Sequence, residues 1–161
     1  MILFLLAFSA QAAEPVMTTA EDGTVILNVE VPASIASVRE ALADPVTVGK
    51  YAPDVISIDA TPKGPCSLIT ASSPGLMKPI NYQTLRCPTA TGWRYDLVSS
   101  DAIESLHSEW RLESVSPEVT RVTYSVNTVI NLGVPQSMVR KGVEHSAKDT
   151  LASLIKAIKP S

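Results

Sequence analysis

The sequence predicts an α+β domain in which an antiparallel sheet wraps around one long C-terminal helix. Two observations lead to this prediction. Segments with strand-like alternation of apolar and polar residues, joined by short turns, follow one another between Val55 and Ile130. After them, the stretch from Gly133 to Lys159 keeps a helical pattern without a break. Such a helix spans roughly 30 Å or more, which is long enough to cross a sheet of this size.

The composition is that of one globular domain without strong electrostatic character. The chain has 161 residues, of which 45% are hydrophobic and 18% charged, and its formal net charge is −3. This length supports a single domain with a real hydrophobic core. The mild charge provides neither a basic footprint for nucleic acid nor a polybasic membrane anchor, and the oligomeric state stays open.

The N-terminal segment, residues 1–13, is predicted to be a signal peptide. Ile2 to Phe8 is a short apolar run, and the small residues after it end in an A-x-A pattern at Ala10 to Ala12. The run is too short to span a bilayer as a helix. No Lys or Arg precedes it, which departs from the usual signal, and a membrane-anchored or buried N-terminal segment is the alternative. We expect an exported protein, periplasmic or secreted, whose folded domain covers residues 24–159.

The folded domain is predicted to open with a strand and a helix. Thr24 to Val31 alternates apolar and polar residues, as a half-buried strand does. Ser34 can cap a helix that runs to about Ala43, where Asp44-Pro45 stops it. A second short helical turn is predicted over Val46 to Tyr51.

Six more strands complete the predicted sheet of about six to seven strands. Short connections make an antiparallel meander their simplest topology. The strands are Val55–Ala60, Cys66–Ala71, Ile80–Cys87, Trp93–Val98, Ser105–Glu113 and Arg121–Ile130.

The second of these hairpins contains both cysteines. If residues 73–79 form its tip, Leu68 pairs with Leu85 and Cys66 pairs with Cys87. An oxidising compartment favours a disulfide at such a place, where it could contribute about 3 kcal/mol. Two free thiols are the alternative, because directly opposed cysteines can be geometrically strained.

The last three strands can be aligned by their inward-facing rows. Centring the hairpins on their turns places Trp110 near both Tyr95 and Tyr124, which predicts an aromatic stripe on the concave face. The residues between these rows are charged or polar and are predicted to form the outer surface. A slip of one residue would turn all three rows outward, so the face is well specified.

The last helix is predicted to cover this stripe. Gly142 and Ser146 keep the middle of the helix narrow, which leaves room for unfilled volume beneath it. Simple close packing of the helix on the sheet is the alternative, and it requires sheet side chains to fill the gap over Gly142. The apolar face consists of Val139, Val143, Ala147, Leu151, Leu154 and Ile158.

Two stretches resemble a known family. Val29 to Val38 looks like the family's first strand running into a Pro-Ala turn and the first helix, and Ala43 to Pro53 looks like its D-P segment. With the order strand, helix, six-strand meander and long helix, they make the chain similar to the START-like, or SRPBCC, superfamily. The resemblance implies a helix-grip fold with a cavity for lipids, sterols, polyketides or quinones. Many members of the superfamily have no enzymatic activity, and it has no universal catalytic residues, so none is assigned here.

We therefore predict non-catalytic binding or transport of a hydrophobic small molecule, without a cofactor. A cyclase or dehydratase acting on a polyketide-like substrate, and a structural or partner-binding domain with a filled core, are the alternatives. An enzyme needs a positioned acid or base, for which the concave face offers three tyrosines and Arg86. The predicted ligand-binding residues are Tyr82, Tyr95, Trp110, Tyr124, Val126, Met138 and Gly142.

The tip of the cysteine hairpin carries a separate hypothesis. Leu76 and Met77 lie there beside Lys78, and exposed apolar loop tips can mark a ligand gate or a transient membrane contact. Folding back over the mouth of the sheet is the alternative.

No metal site is predicted, because His107-Ser108-Glu109 matches one half of a zinc deaminase motif whose P-C-x-x-C half is missing.

Overall fold

The structure is a computed structural model that describes residues 12–158, and most of the predicted signal peptide lies outside these residues. Their arrangement confirms the α+β class. None of the helices in this part of the chain combines the length and the apolar character that a membrane crossing needs. The elements in chain order are β1 (Val16–Thr19), β2 (Val25–Val31), α1 (Ile35–Ala43), α2 (Pro45–Gly49), β3 (Ser57–Lys63), β4 (Cys66–Ser73), β5 (Ile80–Pro88), β6 (Gly92–Ser100), β7 (Ile103–Ser116), β8 (Val119–Ile130) and α3 (Gln136–Ala157).

The described strands form one curved sheet of eight strands in the order β1-β2-β8-β7-β6-β5-β4-β3, and neighbouring strands are antiparallel. The meander from β3 to β8 is therefore extended by the first hairpin, because β2 pairs with β8. The prediction of six to seven strands missed β1. This edge strand has four residues, Val16 to Thr19, and they are mostly exposed, so no alternating pattern marks it.

The opposite edge strand, β3, extends beyond its predicted end. The predicted strand ended at Ala60, whereas Pro62 lies inside β3, which ends at Lys63. A proline is tolerated there because an edge strand needs no hydrogen bond on its outer side. The turn follows at Gly64, whose φ of +60° is readily adopted by glycine.

The hairpin of β4 and β5 has the predicted register. Leu68 pairs with Leu85, and Cys66 and Cys87 form a disulfide. Cys87 follows the inward-facing Arg86 on β5 and therefore points outward, so its disulfide with Cys66 lies on the outer face of the sheet. The disulfide links the ends of β4 and β5. The inward-facing side chains of these two strands line the interior.

Helix α1 begins with the predicted cap at Ser34, and side chains bind carbonyl groups at its C-terminal end. The Ser34 hydroxyl accepts a hydrogen bond from the Ser37 amide at 3.2 Å, as an N-cap does. At the other end, the Tyr51 hydroxyl donates to the carbonyl of Ala41 at 2.7 Å. Asp44 follows directly and caps α2 by accepting from the Thr47 amide at 2.8 Å.

Two further carbonyls at the end of α1 are bound by Arg86 of β5. Its guanidinium donates to the carbonyl of Ala43 at 2.9 Å and to that of Leu42. The cation also lies 4.8 Å from the ring centre of Trp93 and 5.7 Å from that of Tyr95. Arg86 is 5% exposed, so a buried positive charge at the negative end of the helix dipole holds α1 against the sheet.

Helix α3 is anchored by its C-terminal half. Leu151 and Leu154 are fully buried in the core that α3 forms with β2, β8 and α1. In the N-terminal half, Val139 and Val143 are half-buried and Met138 is 62% exposed. The helix therefore packs closely at one end and stands away from the sheet at the other.

We expect Arg86→Met to lower the free energy of unfolding by about 3 kcal/mol, because two carbonyls lose charge-assisted hydrogen bonds that a thioether cannot replace. The change is measured by urea denaturation followed by circular dichroism. Arg94→Met on the neighbouring strand is the matched control. Arg94 is exposed and paired with Asp96, so this variant should stay within about 0.5 kcal/mol of the unchanged protein. Equal effects at both positions would contradict the role assigned to Arg86.

Candidate functional site

An open cavity of about 530 Å³ lies between the N-terminal half of α3 and the concave face of the sheet. Strands β4 to β8 form its wall, α2 and the segment after it form one side, and α3 forms the roof. Most of the lining side chains are apolar, among them Ile69, Ile80, Leu106 and Val143. The size falls in the range of small-molecule sites in proteins.

The structure places every predicted ligand-binding residue on the wall of this cavity. They come from five elements, β5 to β8 and α3, and are Tyr82, Tyr95, Trp110, Tyr124, Val126, Met138 and Gly142. The two predicted gate residues differ from each other. Leu76 lines the mouth, whereas Met77 is 99% exposed and does not contribute to the wall.

The gap over Gly142 is empty of sheet side chains. A Cβ atom built on Gly142 would meet nothing within 4 Å, apart from its chain neighbours and its own helix backbone. The alternative to a cavity was close packing of the helix on the sheet along its whole length. The structure does not have this packing at Gly142. The helix touches the core through its C-terminal half and roofs the cavity with the other half.

The strand register places Trp110 next to both Tyr124 and Tyr95, directly in the first case and diagonally in the second. Trp110 stacks on Tyr124, with ring centres 4.2 Å apart and an angle of 20° between the planes. On its other side, Trp110 is paired with Trp93, and Tyr95 is paired with Ser108. Tyr95 is thus a diagonal neighbour of Trp110, because the turn between β6 and β7 lies at residues 101–102 and sets this register.

Burial governs the acidity of the tyrosines. It raises the pKa of Tyr124, and the nearby phenols of Tyr95 and Tyr82 raise it further. Burial also raises the pKa of Tyr95, although the nearby guanidinium of Arg86 partly opposes this rise. Both phenols are therefore protonated at neutral pH and can donate hydrogen bonds. The Tyr82 hydroxyl lies 3.4 Å from that of Ser73.

The remaining candidate groups lie elsewhere. Arg86, considered as an acid or base, points to α1 and is not part of the cavity wall. His107 lies on the outer face, where it pairs with Asp96 at 2.7 Å. Within residues 12–158, no cluster of three or more His, Cys, Asp or Glu could hold a metal ion. The carboxylate among the described lining residues is that of Asp54, which is exposed.

Sequence reasoning overlooked two polar residues of the wall, Thr84 and Ser108. Both are buried and line the cavity. The alternation of their strands already indicated that they face inward, since Ser108 lies between Leu106 and Trp110 in the inward row of β7. Their importance was missed because short hydroxyl side chains carry no motif.

Comparisons with known proteins show the fold of the chain. No family model matches it, and no curated protein matches it in sequence. A START superfamily protein from Mycobacterium smegmatis has a TM-score of 0.73 at 16% identity, over 84% of this chain and 96% of that one. A protein from Thermus thermophilus has a TM-score of 0.70 at 16% identity, with the same coverage of 84% and 96%. Zhui aromatase/cyclase from Streptomyces sp. R1128 has a TM-score of 0.67 at 16% identity, over 84% and 90%. The chain therefore has the START-like helix-grip fold, as predicted.

Proposed function

We propose that this protein binds a hydrophobic small molecule in the cavity beneath α3, without catalysing a reaction. The observation that carries the proposal is the open space of about 530 Å³ under Gly142, lined mainly by apolar side chains. A ligand that enters this space removes its own apolar surface and that of the wall from water. Each square ångström of apolar surface buried contributes roughly 25 cal/mol to binding.

The chemistry of the wall favours binding over catalysis. Burial raises the pKa of Tyr95 and of Tyr124, so these two phenols are protonated at neutral pH and supply hydrogen bonds but not a base. The carboxylate of Asp54 lines the cavity from an exposed position and is not enclosed with a ligand. A cyclase-type activity is the second candidate, and the structural similarity to an aromatase/cyclase favours it. That similarity concerns the fold, and one fold hosts many functions.

Ligand access is proposed to occur at the tip of the β4–β5 hairpin. Leu76 lines the mouth of the cavity and is 68% exposed, and Met77 beside it projects fully from the surface. Met138 of α3 is also exposed and lines the cavity. Exposed apolar side chains around one opening are suited to transient contact with a lipid surface, from which an apolar ligand could pass into the cavity.

Export is proposed from two features together. The disulfide between Cys66 and Cys87 is of the kind that persists in oxidising compartments. The apolar run with its A-x-A pattern precedes the folded part of the chain.

To test the cavity, we expect Gly142→Phe to weaken binding of the fluorescent apolar probe N-phenyl-1-naphthylamine by about ten-fold or more, because the new ring occupies ligand space. Binding is measured by fluorescence titration. The variant should remain folded, since the space next to Gly142 is empty and phenylalanine is the better helix former.

Two controls accompany this variant. Gly142→Ala adds one methyl group, so it should bind the probe normally and gain up to about 1 kcal/mol in stability. Ala152→Phe places the same ring on the exposed side of α3 and should leave probe binding unchanged. Normal probe binding by Gly142→Phe, or no probe binding by the unchanged protein, would refute the cavity proposal.

To test the gate, we expect Leu76→Asp combined with Met77→Asp to slow probe transfer from phosphatidylcholine vesicles by about ten-fold, because two apolar contacts with the lipid surface are lost. Stopped-flow fluorescence measures this rate. The control is Val98→Asp combined with Val115→Asp, two exposed apolar residues away from the cavity. An unchanged transfer rate in the tip variant, or equal slowing in the control, counts against the gate.

To test export, the full chain is expressed in a Gram-negative host and its intact mass is measured in the periplasmic fraction. We expect a mature chain that begins at Ala13 or Glu14 and weighs two hydrogens less than the reduced form. A full-length, reduced chain confined to the cytoplasm would contradict export.

A further inference from the structure

Four neighbouring residues on the otherwise largely apolar wall of the cavity carry hydroxyl groups. They are Thr84, Tyr95, Ser108 and Tyr124, and we call their hydroxyls the hydroxyl patch. The Tyr95 oxygen is fully buried beside the guanidinium of Arg86. A guanidinium can only donate hydrogen bonds, so the Tyr95 O–H remains available as a donor. The patch therefore offers hydrogen bonds to an occupant of the cavity.

The sheet register brings the patch together in the middle of the wall. Tyr95 of β6 is paired with Arg86 on one side and with Ser108 on the other. Thr84 is two residues from Arg86 on β5, and Tyr124 is two residues from the partner of Ser108 on β8. These offsets make the members of the patch direct or diagonal neighbours across adjacent strands.

Arg86 supports the patch from behind. Its two terminal nitrogens are used by the carbonyls at the end of α1, whereas its Nε is buried without a partner. No described carboxylate lies within ion-pair distance of the guanidinium, so its positive charge acts on the nearby Tyr95 phenol. A positive charge behind a phenol polarises the O–H bond and makes it a stronger hydrogen-bond donor.

We propose that the hydroxyl patch binds a neutral acceptor oxygen, such as a ketone carbonyl, with Tyr95 as its principal donor. This inference rests on the proposed binding of an apolar molecule and adds that the molecule carries its oxygen at the middle of the cavity. A carboxylate fits less well. Burying an anion there requires a paired cation, and the terminal nitrogens of Arg86 already bind α1.

The test uses two probes of nearly equal shape, 2-acetylnaphthalene and 2-ethylnaphthalene, which differ by a carbonyl oxygen. We expect Tyr95→Phe to change the ratio of their dissociation constants about five- to ten-fold against the ketone, the effect of one lost hydrogen bond. Comparing this ratio between the variant and the unchanged protein cancels the different hydration of the two probes. Tyr51→Phe is the matched control, because Tyr51 is not part of the cavity wall and its hydroxyl donates to the carbonyl of Ala41. This control should leave the ratio within about two-fold.

A second measurement needs no variant. The carbonyl stretching band of bound 2-acetylnaphthalene should lie at lower wavenumber than in an alkane solvent, and Tyr95→Phe should reverse this shift. Normal binding of both probes, with an unshifted band and an unchanged ratio, would overturn the polar subsite and leave the cavity proposal standing. Failure of both probes to bind would overturn the two together.

Discussion

The burial of Leu151 and Leu154 is the contact on which the rest of the structure depends. These side chains fix the C-terminal half of α3 on β2 and β8, at one side of an eight-stranded sheet. Because a helix is straight and the sheet is curved, the other half of α3 extends over β4 to β7 without touching them closely. Gly142 adds no side chain to fill the difference. The cavity thus follows from the place where the helix is anchored.

The buried charge of Arg86 determines how α1 and β5 pack against each other behind the cavity wall. An apolar side chain at position 86 would fill the space beneath α1, but it would leave the carbonyls of Leu42 and Ala43 without partners. Arg86 satisfies them and is flanked by the rings of Trp93 and Tyr95. Arg86, which binds the last carbonyls of α1, therefore also places a positive charge behind the cavity wall. The same interaction stabilises the fold and makes one region of an otherwise apolar cavity polar.

Alternation along the strands was sufficient to predict which residues face the interior, because a strand turns successive side chains to opposite faces. That is why the Cys66–Cys87 register and the five wall residues on β5 to β8 could be named from the sequence. The direction of a long side chain is not determined in this way. Arg86 faces inward as its strand requires, yet its guanidinium reaches α1 instead of the cavity. The sequence also failed to predict the two edge strands correctly. Strand β1 is too short to show an alternating pattern, and Pro62 suggests a turn although it lies inside β3.

The emptiness of the cavity could not be predicted either, since periodicity describes the direction of side chains and not the distance between layers. The structure supplies that distance and, with it, a physical reason to favour binding. Burial keeps the phenols of Tyr95 and Tyr124 protonated, so they can orient an acceptor oxygen but cannot remove a proton at neutral pH. Under the proposed function, these donors would hold an acceptor oxygen in place. The ligand would then be selected by apolar fit and by the position of that oxygen.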